Sequence, residues 1–238
     1  VKISVVFTAY QRPHYLQETL ASWAEVRGID DVQLYLYLEP SDVMPEMLGV
    51  IKDSGLPIET TLNETRLGVL VNPWTALNDV FRRTGAGFTV LAEEDIVVSQ
   101  DVLEYFTEAT ARCGPQRALG VCAFSERSSG DVDMIYLAHH FSPLIWGTWG
   151  ETWFQHLRDT WDKDYSTHNG IPGVEAGWDY QLVRTSNRTN LPFVHPEVSR
   201  SKHIGQFGGA HATPETWASL SCNTFQLTRD PVRRLRWR

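Results

Sequence analysis

The chain has 238 residues, 42% of them apolar and 21% charged, with a formal charge of −8. It is long enough to bury one α/β-sized core. No apolar run approaches the roughly 20 residues a bilayer span requires, and the negative charge argues against wholesale coating of nucleic acid, which wants a positive field. We expect a soluble protein of one domain, 1–238, with no membrane partner. The start, VKISVVFTAYQRPHYL, reads as a strand running into a polar loop and not as a secretory leader, so a cytoplasmic setting is expected. Cys113, Cys122 and Cys222 are an odd count without metal-ligand spacing, which suits a reducing compartment.

In chain order, KISVVFTA is a buried strand, and HYLQETLASWAEV places Leu16, Leu20 and Trp23 at helical spacing. VQLYLYLEP is a second strand, DVMPEMLGVIKDSG a helix closing on Gly55, and LPIETTLN a third strand. Asn72 and Pro73 form a cap and first-turn pair for the helix PWTALNDVFRRT, which stops at Gly85. GFTVLAEED is the fourth strand, and Ser99 caps the helix QDVLEYFTEATARC. This alternation predicts an α/β fold with a mostly parallel sheet. In such sheets ligands bind beyond the carboxyl ends of the strands. The polar residues there are Thr8 to Arg12, Glu39, Asn63 to Gly68, and the triplet Glu93, Glu94 and Asp95. After residue 115 the alternation fades into Trp-rich and Gly-rich segments.

Three adjacent carboxylates at a strand end repel one another and lose solvation. A divalent cation would resolve this, since Mg²⁺ or Mn²⁺ often takes only one or two carboxylates plus substrate phosphates and water. Pairing with arginines or capping of the next turn would resolve it equally well. No GxGxxG, GxxxxGK[ST] or GxSxG is present, which removes the main support for dinucleotide, P-loop and serine-hydrolase readings. The last eleven residues, TRDPVRRLRWR, carry five arginines and a tryptophan. They suit either a tail that touches phosphates and stacks on a base or a solvated segment folded back on an acidic surface.

Several segments resemble a known group. VVFTAYQRPHYLQETLASW looks like the first strand and helix of GT-A glycosyltransferases. EEDIVVSQDVLEYF is similar to the metal-binding Glu-Asp-Asp segment of the N-acetylglucosaminyltransferase I family. WDYQLVR and PFVHPEVSRSKHIGQFGGAHATPETW resemble that family's Trp-Asp motif and its Pro-Glu-x-Ser-Arg segment leading to a glycine-bearing loop. The likeness covers residues 1–217, weakly between 110 and 175, and departs in having Glu94 where the family has Asp and in being shorter.

The resemblance implies a GT-A fold, Rossmann-like, with a central sheet flanked by helices. Residues 1–112 would form the nucleotide-sugar half and 113–238 the acceptor half. Asp95 would ligate a Mn²⁺ or Mg²⁺ ion bridging the donor diphosphate, with His211 completing its shell, while Glu93 and Glu94 orient water ligands and donor hydroxyls. Thr8 and Arg12 would face the nucleotide, Glu39 the uracil or ribose, and Asn72 stands where the family has a His near the base. Ser199, Arg200 and Lys202 would reach phosphates, and Gly205, Gly208 and Gly209 would let the loop order over the donor. Asp179, in GWDYQL, matches the family's general base; on the residues alone a helix cap is the favoured reading. Trp146, Trp149 and Trp153 are either stacking faces for a sugar or core.

The expectation is a metal-dependent, inverting transfer of a sugar from a UDP-sugar to a glycan hydroxyl. Three alternatives stand beside it: the same chemistry on a hydroxymethylated base of DNA, a nucleotidyltransferase, and a non-catalytic sugar-nucleotide binder.

Overall fold

In the computed structural model, which describes residues 1–127, 130–164, 177–208, 214–221 and 225–238, the alternating elements build one nine-stranded sheet. The first part of the chain supplies β1 (Ile3–Ala9), α1 (Pro13–Ala24), β2 (Gln33–Leu38), α2 (Met44–Asp53), β3 (Ile58–Leu62), α3 (Gly68–Thr84), β4 (Phe88–Glu93), β5 (Ile96–Val98) and α4 (Val102–Arg112). The second supplies β6 (Gly120–Cys122), β7 (Met134–Ala138), β8 (Trp146–Trp149), α5 (Gly150–Thr152) leading into a π turn at Trp153–Leu157, α6 (Trp178–Thr189), β9 (Phe193–Pro196), β10 (Ser201–His203), α7 (Pro214–Ser221) and β11 (Arg236–Trp237). The strand order is β11-β7-β9-β6-β8-β4-β1-β2-β3, and β5 pairs with β10 in a separate antiparallel ribbon. β3, β2, β1 and β4 are parallel neighbours; β8 then enters antiparallel and joins them to the strands of the second half.

β1 is buried along its whole length, and its alternating side chains feed two cores. Val5 and Phe7 pack with Leu16, Leu20 and Trp23 of α1 and Phe106 of α4, with Phe7 edge-on to Trp23 at 5.4 Å. Val6 lies in the opposite core with Leu77 and Val80 of α3, Leu182 of α6 and a tryptophan group. Trp146, Trp149 and Trp153 are buried, so the aromatic stripe is core and offers no open face to a sugar.

α3 begins at Gly68, not at Pro73, which lies inside it. Its cap comes from another element: Glu39 Oε1, just past β2, accepts the backbone N–H of Leu67 (3.1 Å) and of Gly68 (2.6 Å). These are N–H groups that the first turn leaves without partners. Asn72 is therefore not a cap. It is buried within α3, donating to the Tyr37 carbonyl (3.3 Å) and accepting from the Asn63 amide (2.9 Å).

The Arg-rich end is part of the fold. Arg236–Trp237 adds to the sheet edge beside β7, Leu235 is fully buried, and Arg229 is buried against Asp101 with its Nη2 donating to the Ser199 carbonyl at 2.9 Å. Arg117 lies over the Trp237 ring. The segment thus folds back on the body, with Arg236 paired to Asp131 and Arg238 within 4.0 Å of Glu197. Leu235→Ala is expected to cost about 2–5 kcal/mol, the range for deleting a buried Leu side chain, read as a lower urea midpoint at unchanged slope.

His195 of β9 is buried, stacked on Tyr136 at 5.4 Å, with Nε2 at 3.1 Å from the His140 carbonyl. Burial, and then His140, push its pKa down to about 3 from 6.5. The folded state keeps His195 neutral where the unfolded chain takes up a proton. Its contribution is therefore complete above pH 6.5 and declines as the pH falls toward 3. Urea denaturation across this window should show stability decreasing with acidity, and His195→Asn should flatten that slope.

Candidate functional site

The carboxylate triplet sits at the crevice end of the parallel strands. Parallel register sets Glu93 beside Thr8 and Thr8 beside Tyr37, so the ends of β4, β1 and β2 lie next to one another. Glu39 follows β2 at the same edge. Glu93 is the last residue of β4, and Glu94 and Asp95 make the turn into β5.

Arg12 resolves much of the charge problem. It stands just before Pro13, the residue that opens α1, and its Nε donates to Glu94 Oε1 at 2.6 Å while Nη1 lies 2.8 Å from Asp95 Oδ2. The Tyr10 N–H holds Glu94 Oε2 at 2.6 Å, and the Thr19 hydroxyl of α1 donates to the Glu94 carbonyl at 2.9 Å. From the other side, His203 Nε2 of β10 lies 3.3 Å from Asp95 Oδ2.

These contacts separate three chemically similar acids. Burial raises Glu93 to about 8, with Asp95 and then Glu94 and Asp179 adding to the shift against the opposing pull of Arg12. Burial also raises Glu94, in spite of Arg12 and the Tyr10 N–H. Asp95 moves the other way: although burial opposes its charge, His203 and Arg12 together hold it below the usual carboxylate range. Burial likewise opposes the charge of Arg12, and Asp95 and Glu94 outweigh it. The turn thus holds Glu93 toward its neutral form and Asp95 toward its charged one.

Asp179 is the second residue of α6, entered through Gly177 at φ +123° and Trp178. Its charge is among those that act on Glu93, so the Trp-Asp motif, far from the triplet in sequence, lies near enough to it in the fold for the two charges to interact. The helix start favours a negative charge at this place. A cleft of about 390 Å³ bounded by Tyr10, Gln11 and Pro40–Val43 adjoins the ends of β1 and β2, and the Arg66 guanidinium covers the Tyr10 ring at 4.2 Å.

The chain after β10 crosses the triplet. Ile204 N–H donates to the Asp95 carbonyl at 2.9 Å and Phe207 N–H to the Tyr15 hydroxyl at 3.1 Å. Gly205 is pressed so close that a Cβ there would stand 2.1 Å from Asp95 Oδ2.

Thr8, Arg12, Glu39, Glu93, Glu94, Asp95 and Asp179 are therefore brought to one crevice. Ser199 and Arg200 are not. Arg200 is fully buried, paired with Asp101 at 3.4 Å, hydrogen-bonded to the Val198 and Val132 carbonyls and set over the Tyr105 ring. The buried Ser199 hydroxyl accepts from Ser125 N–H and donates to the Ser201 carbonyl. Both hold the fold together where phosphate contacts were expected, because a guanidinium this deeply buried is held by an internal carboxylate and carbonyls. Gly209 and His211 lie outside the described residues. His203 is the residue the sequence did not single out; its place beside Asp95 follows from the β10–β5 register, His203 opposite Ile96, which no local pattern encodes.

For a divalent cation, the donor set fits. Asp95 Oδ1 is buried without a hydrogen-bond partner, as is His203 Nδ1, and carboxylate and imidazole are ligand types that Mn²⁺ accepts. Among the described residues no group of three or more His, Cys, Asp or Glu side chains is arranged to hold a metal, so any such ion would take its remaining ligands from substrate and water.

The fold is that of GT-A glycosyltransferases. The chain superposes on S. aureus TarS residues 1–349 in complex with UDP-GlcNAc with a TM-score of 0.60 at 13% identity, covering 92% of this chain and 64% of that one. It also superposes on the mannosyltransferase PcManGT from Pyrobaculum calidifontis in complex with GDP-Man and Mn²⁺, with a TM-score of 0.55 at 13% identity over 82% and 54% of the two chains. In sequence it is 24% identical over 141 residues to an alpha-1,3-mannosyl-glycoprotein 2-beta-N-acetylglucosaminyltransferase of Arabidopsis thaliana. That match takes in 57% of this chain and 29% of the relative. No family model matches the chain. Among the described residues no helix is long and apolar enough to cross a membrane.

Gly205→Ala is expected to push residues 204–208 off the Asp95 carboxylate, lowering the thermal midpoint and exposing this stretch to limited proteolysis. Gly114→Ala, whose added Cβ meets nothing within 4 Å, should change neither.

Proposed function

We propose that the chain is a glycosyltransferase that moves a sugar from a nucleotide sugar, specifically a UDP-sugar, to a glycan hydroxyl, with inversion at the anomeric carbon. The observation that carries this reading is the convergence of an anionic Asp95, its partners Arg12 and His203, and the Asp179 carboxylate on one crevice of a GT-A fold. The UDP-GlcNAc complex supports a UDP-sugar as donor and the N-acetylglucosaminyltransferase relative supports a glycan acceptor, while the GDP-Man complex supports the wider class of nucleotide-sugar donors. The DNA alternative rested on the Arg-rich end, whose Leu235, Arg229 and β11 are used to build the sheet edge and core.

In this reading the base lies in the cleft beside β1 and β2, near Glu39, whose Oε1 is committed to α3. Asn72, held between Asn63 and the Tyr37 carbonyl, sets the adjacent wall. Arg12 meets the negative charge of the diphosphate, and Thr8 lines the strand end beneath it. Asp95 and His203 would hold a Mn²⁺ or Mg²⁺ ion, which when bound supplies positive charge against the departing diphosphate. Glu93 orients a donor hydroxyl. Asp179 takes the proton from the acceptor hydroxyl as its oxygen bonds to the anomeric carbon. The bond from that carbon to the phosphate oxygen breaks, and its electron pair leaves with the nucleoside diphosphate. One base opposite the leaving group gives a single displacement and therefore inversion.

Incubation with a panel of nucleotide sugars and Mn²⁺, with and without oligosaccharide acceptors, tests this. Release of UDP dependent on the acceptor is expected, abolished by EDTA and restored by Mn²⁺. Asp179→Asn should lower transfer by about 10²–10⁴-fold, the usual contribution of a general base, and full transfer by that variant would remove the mechanism. Release of pyrophosphate would indicate nucleotidyl transfer in its place.

A further inference from the structure

Asp179 owes its place to two residues of a different segment. Trp161 and Trp178 lie face to face, ring centroids 4.6 Å apart and planes 7° from parallel, and both are buried. Trp161 is itself fixed, its indole N–H donating to the Leu70 carbonyl in the first turns of α3 at 2.8 Å and its ring meeting Trp153 edge-on at 5.6 Å. The next residue, Asp162, is buried, and its Oδ2 accepts the Gly177 N–H at 3.4 Å while Oδ1 accepts that of Asp164 at 3.1 Å. Residues 161 and 162 thus grip residues 178 and 177, the two that precede Asp179. Gly177 has a backbone conformation that L side chains rarely adopt, and its N–H is the one that Asp162 accepts. Trp178 also meets Trp146 at 6.1 Å and Phe141 at 5.7 Å, so displacing Trp161 removes the nearest of its three ring neighbours.

We infer that Trp161 and Asp162 are positioning residues for the Asp179 carboxylate: they set its distance and direction relative to Glu93 and to the acceptor hydroxyl. The inference rests on the reading of Asp179 as the base. The connection continues to the donor side, because Leu70 belongs to the helix whose first N–H groups are held by Glu39.

A misplaced base loses turnover without losing donor. Trp161→Leu is expected to lower kcat by about 10- to 100-fold with the Kd for UDP, measured by calorimetry, unchanged within about two-fold. Trp161→Phe, which keeps a stacking face, should recover most of the loss. Asp162→Ala should act in the same direction, and it serves as the second probe if the Trp161 variant does not fold. The deciding measurement is a double-mutant cycle with Asp179→Asn. Once the base is gone its position has no effect, so Trp161→Leu should add nothing to the residual rate of Asp179→Asn. The same fold-loss in both backgrounds, or a kcat unchanged in Trp161→Leu and Asp162→Ala, would overturn the positioning role while leaving Asp179 as base. Full transfer by Asp179→Asn would instead remove the base itself, a result distinct from failure of the grip.

Discussion

The turn from Glu93 to Asp95 places negative charge where the sheet withholds water, and much of the molecule is arranged around that cost. Desolvation pushes all three acids toward the neutral form. Arg12 prevents this for Asp95, and it can do so because Pro13 ends the loop after β1 and starts α1 at that point. His203 arrives from the far side on β10. The docking of α1, through Thr19 and the Tyr10 N–H, and the crossing of residues 204–208 are both consequences of the same buried carboxylates. Charge neutralisation and chain path are one problem here, and the glycine at 205 exists where the path passes too close for a side chain.

A second buried charge group shows the same logic without a ligand. Asp101 lies between Arg200 and Arg229, and the two guanidinium groups also reach backbone carbonyls of Val198, Val132 and Ser199. Burial, with Arg200 beside it, lowers the pKa of Arg229, which Asp101 partly offsets. Removing one partner of such a group leaves an uncompensated charge in the interior, so these residues are held by the fold itself. Two arginine-bearing segments that read as anion-seeking in one dimension are thereby turned inward and bind the chain end to the body.

The tryptophans divide similarly. A stripe of large aromatics near a crevice suits either sugar stacking or packing. Here Trp146, Trp153, Trp161 and Trp178 pack on one another beneath α3 and α6, with Phe141 against Trp146 and Trp178. Rigid aromatic surfaces in contact leave few alternative arrangements, which makes this cluster a suitable base for a helix whose first turn faces the crevice.

Local pattern was sufficient for most of the first half of the fold. Strand and helix periods over residues 3–112 mark β1 to β4 and the helices between them, their alternation specifies a parallel sheet, and the polar strand ends specify the crevice edge where Thr8, Arg12, Glu39 and the triplet meet. These are properties of short windows, where burial on one or two faces dictates the hydrophobic spacing. Such windows do not give β5, which pairs with β10, the first turn of α3 before Pro73, or the start of α4, whose N-cap residue is Asp101 and not Ser99. Beyond residue 115 the sheet is built from strands of two to five residues whose order, β11-β7-β9-β6-β8, depends on partners far away in sequence. Only the tertiary structure decided that Glu39 caps α3 and that Asn72 does not, that Arg200 faces Asp101, and that His203 stands beside Asp95. The reason is common to all four. A buried polar group must find a partner wherever the packed chain brings one, and that choice is made across the fold and not along the chain.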